Sequence, residues 1–178
     1  MGLRVAIIGA GMGGLACAAA LQAQGIDVNV YEQAAAFKRI GAGIQMTPNA
    51  VKALRGLGLE DALREVAFEA ELGHNREAES GEITNIIELG RRIVERCNAP
   101  LLTLHRADLH SVLLSGVPHE TIRMNHRLVS YQQQGDVVQL TFGNGVEVEV
   151  DAVIAADGVH SLIRERMLGP EAPRFTGR

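Results

Sequence analysis

Gly9, Gly11 and Gly14 stand in the spacing Gly-x-Gly-x-x-Gly, with Gly13 inside the same stretch and Glu32 downstream. Bare backbone at this spacing can bend sharply and present free N–H groups to an anion. A carboxylate at the tip of the next strand can accept hydrogen bonds from both hydroxyls of a ribose. The chemistry these residue types can do together is dinucleotide binding. Gly9 would make the tight turn, Gly11 would admit a diphosphate, and Gly14 with Ala18 would let a helix lie close to a sheet. Glu32 would repel a 2′-phosphate, which disfavours NADP here and leaves FAD or NAD. Glycine spacing alone is a weak signal in a chain with 20 glycines. It becomes specific only with a strand before it, a helix after it and an acid at the end of the next strand.

The sequence supplies those elements. Residues 3–8 form a short β-branched run, as in a buried parallel strand, and residues 15–24 an Ala-rich helix stopped by Gly25. Residues 27–32 form the next strand, completing a βαβ unit whose crossover should be right-handed. Thr47 as N-cap and Pro48 at the first helical position start a helix carrying Val51, Leu54 and Leu57 before Gly58, and residues 60–66 make another short one. Residues 69–88, charged and weakly alternating around Ser80-Gly81, read as an exposed hairpin. Residues 101–104 resemble a buried strand and 107–114 a helix closed by Gly116. From 127 to 150, Val138, Leu140 and Phe142, then Val146, Val148 and Val150, alternate with polar residues. Gly135-Asp136 and Asn144-Gly145 sit at the turns, so this region should be a three-stranded antiparallel meander. A short buried strand over 152–156, Asp157-Gly158 and a helix over 161–168 come next. The last ten residues show no periodic signal.

Composition bounds the remaining possibilities. The 178 residues suffice for one domain, or one with a small appendage, and 47% hydrophobic against 21% charged residues argues for a packed core. A net charge of −4 lacks the basic excess expected of a nucleic-acid-binding face. Cys17 and Cys97 are too far apart for a CxxC pair or a zinc knuckle; Cys17 reads as a small core residue. His74, His105, His110, His119, His126 and His160 form no metal-ligand spacing. Residues 5–21 carry no charge, but the glycines within them and the single Arg4 argue against a signal peptide or a membrane span. Ala6 breaks the myristoylation pattern. A soluble, cytoplasmic chain is the expectation.

The segments beyond Glu32 separate FAD from NAD. A NAD-dependent dehydrogenase would continue to alternate strands and helices. Here the chain continues with Arg39-Ile40-Gly41-Ala42-Gly43-Ile44-Gln45, Thr47-Pro48-Asn49-Ala50 and Leu104-His105-Arg106-Ala107-Asp108-Leu109-His110. The meander then precedes Ala156-Asp157-Gly158-Val159-His160-Ser161-Leu162-Ile163-Arg164. These segments, in this order over residues 3–168, resemble the class A FAD-dependent aromatic-ring monooxygenases, which include salicylate and 6-hydroxynicotinate hydroxylases. The Asp-Gly-x-x-Ser-x-x-Arg motif is the most specific.

The resemblance implies an α/β fold: a Rossmann-like FAD-binding domain of the p-hydroxybenzoate-hydroxylase type, a parallel sheet plus an antiparallel meander. Residues 1–68 would form its Rossmann part and 69–100 a hairpin and linker on the substrate-domain side. Residues 101–168 would continue the FAD-binding domain, and 169–178 would be a truncated tail. Gly11 and Gly13 would touch the FAD diphosphate, Glu32 the ribose, and Gln33 would lie near the adenine side. Arg39 and the Gly43-Ile44-Gln45 stretch would run past the ribityl chain and flavin; the 6-hydroxynicotinate enzymes have a histidine where Gln45 stands. Arg106 would reach the ribityl or diphosphate region, Leu128 would present its backbone to adenine, and Asp157 would help organise the diphosphate. The implied reaction uses NAD(P)H and O₂ to hydroxylate a small aromatic or heteroaromatic substrate. Family members are roughly twice as long, and most of the substrate domain, with a Gly-Asp segment closing over the flavin, is not among these residues. Two other readings stay open: a non-catalytic dinucleotide-binding module and an NAD-binding Rossmann protein.

Overall fold

A computed structural model describes residues 2–39, 41–171 and 174–177. Ile40 of the Arg39–Gln45 segment and Ala172, Pro173 and Arg178 of the tail lie outside the described residues. In the first half of the chain the elements are β1 (Arg4–Ile8), α1 (Met12–Gln22), β2 (Asp27–Tyr31), β3 (Gly43–Met46), α2 (Pro48–Gly56), α3 (Glu60–Val66), β4 (Phe68–Glu69), β5 (Leu72–Arg76) and β6 (Ile83–Glu88). Then come α4 (Arg91–Cys97), β7 (Leu102–His105), α5 (Arg106–Ser115), a 3-10 turn at His119–Thr121 and β8 (Ile122–Arg123). The chain continues through β9 (Leu128–Gln134), β10 (Val137–Phe142), β11 (Glu147–Val150), β12 (Ala152–Ala155) and α6 (Leu162–Leu168). Two compact units result, one of residues up to Phe37 together with those from Leu113 onward, the other from Lys38 to Val112.

The first unit is built on a four-stranded sheet in the order β12-β1-β2-β8, parallel at every pairing. Strand β1 is central and buried, which explains its unbroken Val5-Ala6-Ile7-Ile8 run. Its side chains alternate between two faces. Ala6 and Ile8 join Tyr31, Leu128, Leu140, Phe142, Val150 and Ile163 in one core cluster, so β9–β10–β11 and α6 pack on that face. The other face meets α1, whose Leu15, Ala18 and Ala19 are buried. The expected meander is present, with β10 antiparallel to both β9 and β11. Helix α1 begins at Met12, earlier than the expected residue 15. Gly13 and Gly14 fall in its first turn, where they carry the entropic cost of helical glycine. Cys17, expected in the core, is only half-buried.

In the second unit, β3, β7 and β4 form an antiparallel sheet in the order β3-β7-β4. Leu102 and Leu104 are buried, as the sequence suggests for this segment. Their partner is β3, whose four residues carry too short a pattern to be read as a strand. Thr47 does take the N-cap position before Pro48, but it forms no side-chain cap; its hydroxyl donates to Asn49 Oδ1 at 2.5 Å instead. The hairpin over 69–88 is present as β5–β6, a two-stranded sheet exposed along most of its length. Helix α4 was not legible as an element because it buries none of its residues. Its local signals are an Arg91–Glu95 pair at 2.6 Å, one turn apart, and Asn98 closing it at φ 52°.

Candidate cofactor site

The site lies at the C-terminal ends of β1, β2 and β12, where the parallel ladder is extended by three backbone bonds. Gly9 N–H donates to the Tyr31 carbonyl at 2.8 Å, Ala156 N–H to Ile8 at 2.9 Å and Glu32 N–H to Arg123 at 2.9 Å. Gly9 takes φ +106°, and a Cβ there would strike the Ala156 carbonyl. A Cβ added on Gly14 would strike the Gly9 carbonyl oxygen and lie 3.3 Å from Ala156 Cβ. These two glycines serve packing: one turns the chain, the other lets α1 close on the strand. Gly11 and Gly13 differ, since a Cβ on either would meet nothing within 4 Å. Gly11 is the N-cap of α1, no side chain caps that helix, and its first turn carries no acid. The helix start therefore offers its free N–H groups and its positive dipole end to open space.

Glu32 closes the turn from the side. Its Oε2 accepts the Ala10 N–H at 2.9 Å and its Oε1 the Ala34 N–H at 2.8 Å. Each oxygen keeps a further lone pair for an outside donor. Asp157 lines the same cavity as Glu32. Asp157 Oδ2 accepts the Leu162 N–H at 2.9 Å, while Ser161 Oγ accepts the Arg164 N–H at 3.0 Å, so the two side chains together start α6. Asp157 Oδ1 is buried without a partner among the described residues. A buried carboxylate oxygen left without a donor is costly, and a ligand hydroxyl or a bridging water would satisfy it.

Gly9, Gly11, Glu32, Gln33, Leu128 and Asp157 all line one cavity of about 680 Å³. Gly13, in the first turn of α1, is exposed and not among the lining residues, and Gly14 is buried. The cavity wall also includes Tyr31, His126, Arg127, His160 and Glu165, none of which the motifs single out. Three acids, Glu32, Asp157 and Glu165, share this wall with one arginine, Arg127. An anion here would meet the backbone N–H groups and dipole of the α1 start, with Arg127 as the one arginine in the wall.

The remaining expected residues gather in the second unit. Gly43, Ile44 and Gln45 lie in β3, paired with His105, Leu104 and Thr103 of β7. Arg39 Nη1 donates to Asp108 Oδ1 at 2.7 Å. Arg106 begins α5; its N–H donates to the Ala42 carbonyl at 2.9 Å, and its stem leaves no room for a Cβ on Gly41. His105 caps this junction, accepting the Ala107 N–H on Nδ1 at 3.1 Å and donating from Nε2 to the Gly41 carbonyl at 3.1 Å.

The profile of the FAD binding domain matches residues 2–174. The chain belongs to this family. Its residues fit FAD on their own geometry, through the two glycines open to a diphosphate, the carboxylate at the tip of β2 and the unsatisfied Asp157 oxygen. Among curated relatives it is 41% identical to 6-hydroxynicotinate 3-monooxygenase of Pseudomonas fluorescens over 98% of this chain and 45% of that one. It is 35% identical to salicylate hydroxylase of Pseudomonas putida over 99% of this chain and 42% of that one. Among solved structures, Klebsiella pneumoniae HpxO complexed with FAD and uric acid superposes with a TM-score of 0.89 at 31% identity. That likeness covers 97% of this chain and 43% of HpxO. The chain thus spans less than half the length of the relatives it matches. No helix among the described residues is long and apolar enough to cross a membrane.

Proposed function

We propose that this chain is the FAD-binding portion of a cytoplasmic flavin-dependent monooxygenase that hydroxylates a small aromatic or heteroaromatic ring, with NAD(P)H as electron donor and O₂ as oxidant. The observation that carries the reading is the Glu32–Ala10 bond beside two glycines whose Cβ positions are empty, in a domain of the FAD-binding family. The names of the relatives supply the reaction class.

In this reading Gly11, Gly13 and the start of α1 hold the diphosphate, Glu32 the adenosine ribose, and Leu128 borders the adenine. Asp157 fixes the start of α6 through Oδ2; as an anion it reaches a diphosphate only through a donor between them. Arg39, Gly43, Ile44, Gln45 and Arg106 belong to the ribityl and flavin side. Bound FAD would supply the electron transfer and oxygen activation; the protein places it and excludes water. Residues 69–100 belong to the substrate side, and further chain covers the apolar hairpin residues Leu72, Ile83, Ile86 and Ile87, which are exposed here.

Visible flavin absorption in the purified chain, lost on removal of FAD and restored by adding it back, is the expected result. Little NADH- or NADPH-driven hydroxylation is expected from these residues alone. A chain that takes up NAD and leaves FAD in solution would overturn the proposal.

A further inference from the structure

The His126 N–H donates to the Glu32 carbonyl at 2.8 Å, which seats His126 next to the acid in the wall of the cavity. Its ring is fixed in place. Nδ1 lies 2.7 Å from the Met124 carbonyl, which can only accept, so Nδ1 carries the proton and donates it. The ring stands edge-on to Tyr31 at 5.6 Å and to Phe142 at 5.2 Å, and these two rings stack on one another at 4.7 Å. Tyr31 and Phe142 belong to the buried core, so the imidazole packs against the core of the unit. The loop beneath it is tied as well. Asn125, at φ 60°, donates its N–H to the Ala34 carbonyl at 3.0 Å and accepts from Asn144 Nδ2 at 3.0 Å.

A neutral imidazole with its proton on Nδ1 holds a lone pair on Nε2. Among the described residues no hydrogen bond reaches that nitrogen, and it is not one of the fully buried unpartnered atoms. Its pre-set character is therefore that of an acceptor at a cavity wall. Were the diphosphate at the glycine turn and the ribose at Glu32, the base would lie beyond the sugar, and Gln33, His126, Arg127 and Leu128 are the lining residues available to meet it.

Building on the FAD reading, we propose that His126 reads the base: its Nε2 accepts the exocyclic amino group of a 6-aminopurine. The cavity then selects adenine over a 6-oxopurine, whose carbonyl would face a lone pair. His126 acts by binding and specificity and takes no part in the chemistry of the flavin.

The test compares FAD, ADP and IDP as ligands of the flavin-free chain, by calorimetry and by competition against FAD fluorescence. ADP is expected to bind about tenfold or more tightly than IDP, the scale of one hydrogen bond gained against one acceptor left facing another. His126→Phe keeps a ring in the Tyr31–Phe142 seat but removes the acceptor. It should weaken FAD and ADP about tenfold, leave IDP no weaker and close the gap between them. Circular dichroism shows whether the variant is folded, and the ADP-to-IDP ratio of the unsubstituted chain decides even where it is not. Equal binding of ADP and IDP by that chain, or an unchanged ratio in folded His126→Phe, overturns the proposal and leaves FAD binding intact. Failure of the unsubstituted chain to bind FAD at all overturns the cofactor reading, and the assignment of His126 with it.

Discussion

Glu32 Oε2 accepts the Ala10 N–H at 2.9 Å, so the acid at the tip of β2 holds the glycine turn after β1. The same carboxylate accepts the Ala34 N–H through its other oxygen. A residue that the motif marks for sugar binding is thus also the clasp of the loop that receives the phosphates. Substitution should therefore affect both stability and cofactor binding.

Glu32→Gln keeps the size but turns one acceptor oxygen into an NH₂ group, which faces either Ala10 or Ala34 N–H. Loss of that charge-assisted bond should cost about 1–3 kcal/mol of stability. FAD affinity should fall more than tenfold, because the turn loosens and the ribose loses an acceptor. Thermal melting with and without FAD measures both; an unchanged FAD affinity would remove Glu32 from the site.

Gly13 and Gly14 should respond in opposite ways to the same added methyl group. Gly14→Ala drives a Cβ into the Gly9 carbonyl and should destabilise the fold with or without cofactor. Gly13→Ala meets only open space, and replacing a helical glycine should raise the stability of the cofactor-free chain by about 0.5–1 kcal/mol. FAD binding should nevertheless weaken in Gly13→Ala, since the methyl group occupies the approach of the diphosphate. Paired melting curves and FAD titrations decide it, and full FAD affinity in Gly13→Ala would move the diphosphate elsewhere.

Glu60 ties α2 to α3. Hydrogen bonds from Arg55, then from Arg64, hold its carboxyl well below the usual range, at about 2. A depressed folded-state value means that the stabilisation is complete above the unfolded value near 4.5 and is lost as pH falls from there through about 2. The stability gap between the unsubstituted chain and Glu60→Gln should be constant from neutral pH down to about pH 5 and close at more acidic pH. Both arginines are partly exposed, so the gap at neutral pH should be only about 1–2 kcal/mol. Urea melts across a pH series test this, and a gap that widens in acid would contradict it.

Phe142 is 1% exposed and stacks on Tyr31 at 4.7 Å. Phe142→Ala should cost about 3–5 kcal/mol, from lost burial and the cavity left behind. The floor beneath His126 should loosen with it, so FAD affinity should drop even though Phe142 does not line the cavity. Chemical denaturation gives the first quantity and FAD titration at low denaturant the second.

The first βαβ unit was legible because its signals agree with one another. A β-branched run, glycines at turn and helix positions, and an acid at the next strand end all point to one structure, and each is local. The meander was legible for the same reason, through alternating valines and Asn-Gly or Gly-Asp turns. Strand β3 and helix α4 were missed because their local patterns are weak: β3 has four residues, and α4 buries none. Gly43, Ile44 and Gln45 were singled out for resemblance alone, and nothing in their spacing announced a strand paired with β7.

His126 shows why a site cannot be completed from motifs. No spacing distinguishes it from the other five histidines. It gains its place because β8 pairs with β2 and carries the next residues along Glu32 and Ala34, and because Phe142 arrives from the meander to meet Tyr31. The amino-acid order alone determined the glycine turn, the helix behind it and the acid at the strand tip, since those depend on backbone freedom and charge at neighbouring positions. The rest of the cavity wall, including the orphaned oxygen of Asp157 and the imidazole of His126, was decided by packing between segments nearly one hundred or more residues apart. Only the folded chain brings such segments within hydrogen-bonding distance, and hydrogen bonds act over about 3 Å.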